Sequence, residues 1–287
     1  MTASSDVAKF CEALRGSRNI VAIAGAGLSA ASGIPTFRSS DGLWKKHDPL
    51  LLATPEAFEK NPSLVWQFYS TRRAKALHAK PNKAHMALAM LCCPDMLQVL
   101  APQASFTLIT QNVDGLSIKA LNGVLEKRGE GHETKTSNIY EMHGCLMDTI
   151  CTVCGRTETN YDESLCPALS IVESVGEDTQ SIPLEDLPRC ATCGGLLRPG
   201  IVWFGETPHD IRKIWSVVDE ADMCLVIGTS STVQPAAGFA YEVSDRGGTV
   251  AVFNIEDTTS DSEIGKPDFL FLGPCEDTLP KVLFNIN

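Results

Sequence analysis

No apolar run in the 287 residues reaches the roughly 18 to 20 needed to cross a bilayer as a helix. Residues 1–16 lack the charged-then-apolar layout of a secretory signal. Arg15 and Arg18 are offset by Asp6 and Glu12, so residues 1–20 make a poor mitochondrial presequence. Positive charge is scarce: 24 Lys and Arg against 35 Asp and Glu leave a formal charge of −11, which opposes broad binding to nucleic acid or anionic membranes. Basic peptides are easier partners. Internal repeats and low-complexity tracts are missing, which excludes collagen-like, coiled-coil and disordered architectures. Eleven cysteines form an odd count without a secretion signal, favouring free thiols and metal ligands over a disulfide framework. The chain is expected to be soluble and intracellular, with mitochondrion, cytoplasm and nucleus all open.

What remains is a chain with 44% hydrophobic residues, enough for one large domain or a large and a small one. Val7, Phe10, Cys11 and Leu14 recur at helical spacing before Gly16 and predict a short amphipathic helix. Compact apolar runs at 20–24, 106–110, 224–228 and 249–254 read as strands buried on both faces, as in a parallel sheet. Three of them lead into polar or glycine-rich loops, where open α/β sheets bind ligands. The expected fold is therefore α/β, a Rossmann-like parallel sheet with a smaller zinc-ribbon and helical module. Residues 1–48, 95–144 and 200–287 would form the nucleotide-binding domain, 49–94 a helical insert and 145–199 the zinc module. Within the insert, helices are expected from Pro62 to about His78 and over 83–91. Residues 157–188 carry eight acids and no Lys or Arg, which predicts a solvated, poorly ordered excursion, and 129–137 reads as a loop.

Cys151-x2-Cys154 and, after 35 intervening residues, Cys190-x2-Cys193 form two CxxC knuckles beside Gly155, Gly194 and Gly195. Four thiolates without an open position predict one structural zinc, with Cys166 a possible competitor. Gly25-Ala26-Gly27-Leu28-Ser29-Ala30 fits GxGxxA, whose small residues let backbone amides approach a pyrophosphate at a helix amino end. An acid at the end of a second strand, expected of a dehydrogenase, is missing: Asp48 has the spacing but precedes Pro49 in a segment without strand pattern. Asn112 and Asp114 follow a strand, and His143 immediately precedes the zinc module, where a cleft between two units would form. Taken alone, a single histidine in apolar surroundings is more simply structural.

The series Gly25 to Arg38 (GAGLSAASGIPTFR), then Thr110-Gln111-Asn112-Val113-Asp114, His143-Gly144, the paired CxxC, Val202-Trp203-Phe204-Gly205-Glu206 and Gly228-Thr229-Ser230 resembles the sirtuin family of NAD-dependent protein deacylases, in the family's order. The match runs over about 20–280 and departs at Ser117, where sirtuins usually carry histidine. The resemblance implies NAD as co-substrate and His143 as the proton-accepting base. Its cofactor-binding set would be Gly25, Ala26, Gly27, Ser29, Ala30, Pro35, Thr36, Phe37, Arg38, Trp44, Gln111, Asn112, Asp114, Gly228, Thr229, Ser230, Asn254, Ile255, Glu256 and Cys275. Cys275 reads equally as a buried inert thiol, and Phe37 as core packing. An acylated lysine of a protein or peptide would add as a strand along Val202, Phe204, Gly205 and Glu206. The acyl oxygen would attack the ribose C1′ as nicotinamide leaves, and the products would be free lysine and 2′-O-acyl-ADP-ribose.

On a helical wheel at about 100° per residue, Arg72 falls on the apolar face of Val65, Phe68, Tyr69 and Ala76. Composition alone favours a solvated Arg72 beside Arg73 and Lys75. Tyr69-x-x-Arg72 with Ala53-Thr54-Pro55 is, however, similar to the class III branch, of the sirtuin five type. That branch removes succinyl, malonyl and glutaryl groups, and Tyr69 and Arg72 would hold the distal carboxylate while Ala53 leaves it room. Alternatives are a general deacetylase, a weak ADP-ribosyltransferase, or an NAD-binding scaffold whose zinc module docks partners. Trp203 is expected to pack between the sheet and the zinc module, and Cys11, Cys92, Cys93, Cys145 and Cys224 to be core thiols.

Overall fold

A computed structural model of the chain describes residues 3–36, 47–129, 138–170, 181–257 and 267–285. The strands are β1 (Asn19–Ala24), β2 (Ser105–Thr110), β3 (Ile139–Glu141), β4 (Gly144–Cys151), β5 (Thr157–Thr159), β6 (Leu197–Ile201), β7 (Met223–Ile227), β8 (Thr249–Asn254) and β9 (Phe269–Leu272). The helices are α1 (Val7–Gly16), α2 (Pro49–Leu52), α3 (Pro55–Lys60), α4 (Pro62–His78), α5 (Lys83–Leu91), α6 (Pro94–Leu100), α7 (Leu116–Lys127), α8 (Pro167–Ser170), α9 (Ile211–Glu220), α10 (Ala236–Asp245) and α11 (Cys275–Phe284).

Six strands form the main sheet in the order β3-β2-β1-β7-β8-β9, every pairing parallel. The four apolar runs became its four central strands. Both faces are covered, with Phe10, Leu88, Leu121 and Leu279 buried on one side and Ile214, Val218, Phe239 and Val243 on the other. The chain leaves β1 toward β2 on one side and returns through β7 to β8 on the other, so the strand order reverses between β1 and β7. A crevice outside the carboxyl ends of β1 and β7 follows from that reversal. The two edge strands β3 and β9 carry only three and four residues, too short for a periodicity signal, and escaped sequence reading.

The second sheet, β5-β4-β6, is antiparallel and carries the cysteine knuckles. Helix α4 packs on it, burying Val65, Trp66, Phe68, Tyr69 and Ala76 with Leu146, Met147, Leu169, Leu187 and Trp203. Asn61 caps its first turn, accepting the Leu64 amide at 3.0 Å. The 49–94 segment divides: α2 to α4 join this second cluster, whereas α5 places Ala84, Ala87, Leu88 and Leu91 in the main core.

Arg73, to which the sequence assigned no role, is 2% exposed and donates to the carbonyls of Leu146, Asn160 and Asp162 and to Asn160 Oδ1. One expectation changes. The acidic excursion is anchored at both ends, because β5 pairs with β4 while Leu169 and Leu187 are buried, and Ile182 donates its amide to Ser63 Oγ at 2.8 Å. Sparse apolar residues suffice there because helix α4 supplies the other half of the contact. Residues 171–180, the middle of that excursion, and most of the 129–137 loop lie outside the described residues.

Candidate active site

At the reversal of strand order the backbones of two loops touch. Gly25 donates its amide to Ile227 O at 3.0 Å and Gly27 to Gly228 O at 2.7 Å. A Cβ on Gly27 would fall 2.8 Å from Gly228 Cα, and Gly228 has φ +56, so this crossing requires glycine on both sides. Residues Ala26–Ser32 then form a 3-10 helix rather than the α-helical start expected of GxGxxA. Cys275, the first residue of α11, donates its thiol to Gly27 O at 3.5 Å, and burial pushes its pKa up to about 12. That thiol is held protonated near pH 7.

Inside the crevice one directed chain of hydrogen bonds fixes the polar groups. Asn82, the cap of α5, donates its amide to His85 Nδ1 at 3.3 Å, so His85 Nε2 carries the proton and meets Ser29 Oγ at 3.3 Å. Ser29 passes its own proton to Asp114 Oδ2 at 2.6 Å, and Asp114 Oδ1 accepts the Leu116 amide at 2.9 Å. Asn112 donates to Gly25 O at 3.0 Å and Ser29 Oγ at 3.1 Å, which commits both amide protons and leaves Oδ1 as an acceptor. Burial lowers His85 to about 4 and raises Asp114, so the histidine is neutral and the carboxylate accepts a proton more readily than usual.

His143 stands between the sheets, on the turn from β3 to β4. Its Nδ1 donates to Gln111 O at 3.1 Å, leaving Nε2 the basic nitrogen. Burial lowers its pKa, with His209 adding to the effect against the Gln111 bond, so the imidazole is neutral near pH 7. Its carbonyl accepts the Val202 amide at 2.9 Å, tying the histidine to the 202–206 loop. Gln111 Nε2 reaches Thr229 Oγ1 at 3.2 Å, and Asn254 Nδ2 reaches Thr229 O at 3.1 Å, so these three residues brace one another across β2, β7 and β8. Ser230 bonds Thr232, while Ile255 and Glu256 are exposed beyond β8. Ala30, Pro35 and Thr36 continue the first loop; Phe37, Arg38 and Trp44 lie outside the described residues.

A second wall comes from α4. Tyr69 is 5% exposed and accepts the Trp203 indole N–H at 3.0 Å, and burial pushes its phenol up to about 12. One turn on, the Arg72 guanidinium lies 4.6 Å from the Phe68 ring centroid, its pKa lowered by burial. Ala53 follows α2, and its carbonyl accepts the Phe204 amide at 3.0 Å, which brings the insert onto the loop containing Gly205 and Glu206. Trp203 packs against Phe58 and Tyr69, in the cluster shared with the second sheet.

Farther off, the Sγ atoms of Cys151, Cys154, Cys190 and Cys193 lie within 4.8 Å of one another. Tetrahedral zinc with bonds of about 2.3 Å places its sulfurs about 3.8 Å apart, a spacing bracketed by the 3.4 Å Cys151–Cys193 contact and that 4.8 Å limit. The Val153 and Cys154 amides reach the Cys151 sulfur at 3.4 and 3.5 Å and favour its thiolate, the form that ligates a metal. The donor set fits one structural zinc, and Cys166 lies outside this cluster.

A family model described as Sir2 family matches residues 25–235, spanning the crevice, the histidine and the four cysteines. This chain belongs to the Sir2 family. The Sir2 chain is 44% identical over 98% of its length to a Canis lupus familiaris protein named NAD-dependent protein deacylase sirtuin-5, mitochondrial, covering 86% of that protein. A crystal structure of a Sir2 homolog–NAD complex superposes with TM-score 0.76 at 34% identity, covering 99% of this chain and 94% of the other. A Sir2 protein solved with a deacetylated p53 peptide and 3′-O-acetyl-ADP-ribose gives TM-score 0.74 at 26% identity, with 98% of both chains covered. Sequence reading of this Sir2 chain missed Arg73, His85 and Arg198. A signal existed for His85, which sits three residues after a capping asparagine on a helix that is apolar from Met86 onward.

Proposed function

We propose that the chain removes acyl groups from protein lysine at the expense of NAD and prefers acyl chains that end in a carboxylate. NAD supplies an electrophilic ribose carbon once nicotinamide departs; the chain's residues bind, orient and move protons. Gly25 and Gly27 bring the loops after β1 and β7 into backbone contact, and with Ala26 they would form the floor on which NAD lies. Asn112 Oδ1 and the raised Asp114 would receive the carboxamide of nicotinamide. Thr229, Ser230, Asn254, Ile255 and Glu256 line the adenosine side. His143 Nε2 would accept the proton released from the ribose hydroxyls.

The acyl preference rests on the Arg72 guanidinium set among apolar side chains beside Tyr69. A partly desolvated cation gains more from a carboxylate than a solvated one, and its planar fork matches two carboxylate oxygens. The names of the matched relatives support deacylation, and the mitochondrial label of one supports that compartment. The test is NAD-dependent release of succinyl against acetyl from one peptide. We expect succinyl to be preferred and Arg72→Met to reverse the order; equal turnover in both proteins would refute the acyl preference.

A further inference from the structure

Arg198 on β6 belongs to no motif in the sequence, yet it closes the loop that follows it. Its guanidinium grips Glu206 twice, Nη1 to Oε1 at 2.6 Å and Nη2 to Oε2 at 2.8 Å, and Nη2 also donates to Ile201 O at 2.9 Å. The same group lies 3.7 Å from the centroid of the Trp203 ring. Glu206 Oε2 accepts the Trp203 amide at 2.8 Å. Trp203 is therefore held at both backbone and ring, and its indole nitrogen, Nε1, donates to the Tyr69 hydroxyl at 3.0 Å. With the indole N–H on the phenol oxygen, the hydroxyl proton must point away from Trp203. Burial keeps that phenol protonated, since its pKa is pushed up to about 12.

We infer that Arg198 is a positioning residue for acyl selectivity: acting through Trp203, it fixes the Tyr69 hydroxyl as a donor toward the carboxylate of an acidic acyl chain. The inference rests on the acidic-acyl reading above. It needs arginine specifically. A lysine ammonium in the same place cannot hold two carboxylate oxygens and cover an indole face together.

The test compares Arg198→Lys, Trp203→Phe and the double variant with the unmodified chain, using succinyl-lysine and acetyl-lysine forms of one peptide at saturating NAD. Phenylalanine keeps an aromatic face for Arg198 and removes the indole N–H, so it serves even if Arg198→Lys unfolds, which a melting curve reports. In each single variant the succinyl KM should rise about fivefold to tenfold, the factor expected for one misdirected hydrogen bond. The acetyl KM and both kcat values should move less than about twofold. Because Arg198 acts through Trp203, the double variant should lose no more succinyl selectivity than the worse single variant. Equal rises in both KM values, or additive losses of selectivity, would overturn the inference and leave Arg198 as loop scaffolding. An unmodified chain without succinyl preference would overturn the acyl reading as well, whereas a preference that survives both substitutions defeats only the role given to Arg198.

Discussion

Replacing Arg73 with methionine tests how helix α4 is held against the second sheet. Arg73 follows Arg72 on α4 and is 2% exposed. Its Nη2 meets Asp162 O at 2.6 Å, Asn160 O at 2.7 Å and Asn160 Oδ1 at 3.1 Å, while Nη1 meets Leu146 O at 3.2 Å. Hydrogen bonds from a charged donor contribute about 1.5 to 3 kcal/mol each, but four on one fork are not additive, and three of these acceptors are half-buried at most. We expect a net loss of about 3 to 5 kcal/mol, led by the buried Leu146 carbonyl left without a donor, with smaller contributions from the Asn160 and Asp162 acceptors that water can reach. At about 2 to 4 °C per kcal/mol for a chain of this size, the melting temperature should fall by about 6 to 20 °C. Thermal unfolding followed by circular dichroism measures this, and Arg73→Lys should recover only part, since one ammonium cannot span the same acceptors. A fall under about 3 °C in Arg73→Met would refute the clamp.

The remaining predictions concern protons, metal and backbone. Burial lowers the His143 pKa, so the acidic limb of kcat/KM should fall below the ordinary histidine value of about 6.5; a limb above 7 would contradict the neutral base. His85 has a folded pKa of about 4, below its unfolded value, so the unfolded chain binds the extra proton and stability declines as pH falls from about 6.5 toward 4. Its share is about 3 kcal/mol, and denaturant titrations of His85→Gln should show a correspondingly flatter acid slope. Chelation, or Cys190→Ser, should remove one zinc per chain by metal analysis and open residues 157–188 to protease; an unchanged digestion pattern would separate the cysteines from the packing of that segment. Gly228→Ala places a Cβ 2.5 Å from the Leu28 amide nitrogen at φ +56, and calorimetry should show NAD binding weakened by at least about tenfold.

The central strands, the glycine crossing and the cysteine cluster were legible because each imposes a local rule: an apolar run, a forbidden Cβ, a fixed ligand spacing. Arg72 was also visible, since a cation on an apolar face violates the helical pattern. Arg73 was missed because helix α4 is buried on more than one face, and an arginine that satisfies distant carbonyls leaves no pattern in the sequence. Arg198 and His85 act through contacts with Trp203, Glu206 and Ser29 that only the folded chain assembles. The excursion at 157–188 has too few apolar residues to announce a core, and borrows one from α4.

The bond from Val202 N to His143 O makes the 202–206 loop and the His143 imidazole parts of one mechanical linkage. On its other side the imidazole hangs from Gln111, whose side chain leans on the Thr229 loop. A shift of the 202–206 loop therefore reaches the imidazole through one hydrogen bond and a shift of the Thr229 loop through two, so that ring is the joint at which movements of the two loops meet.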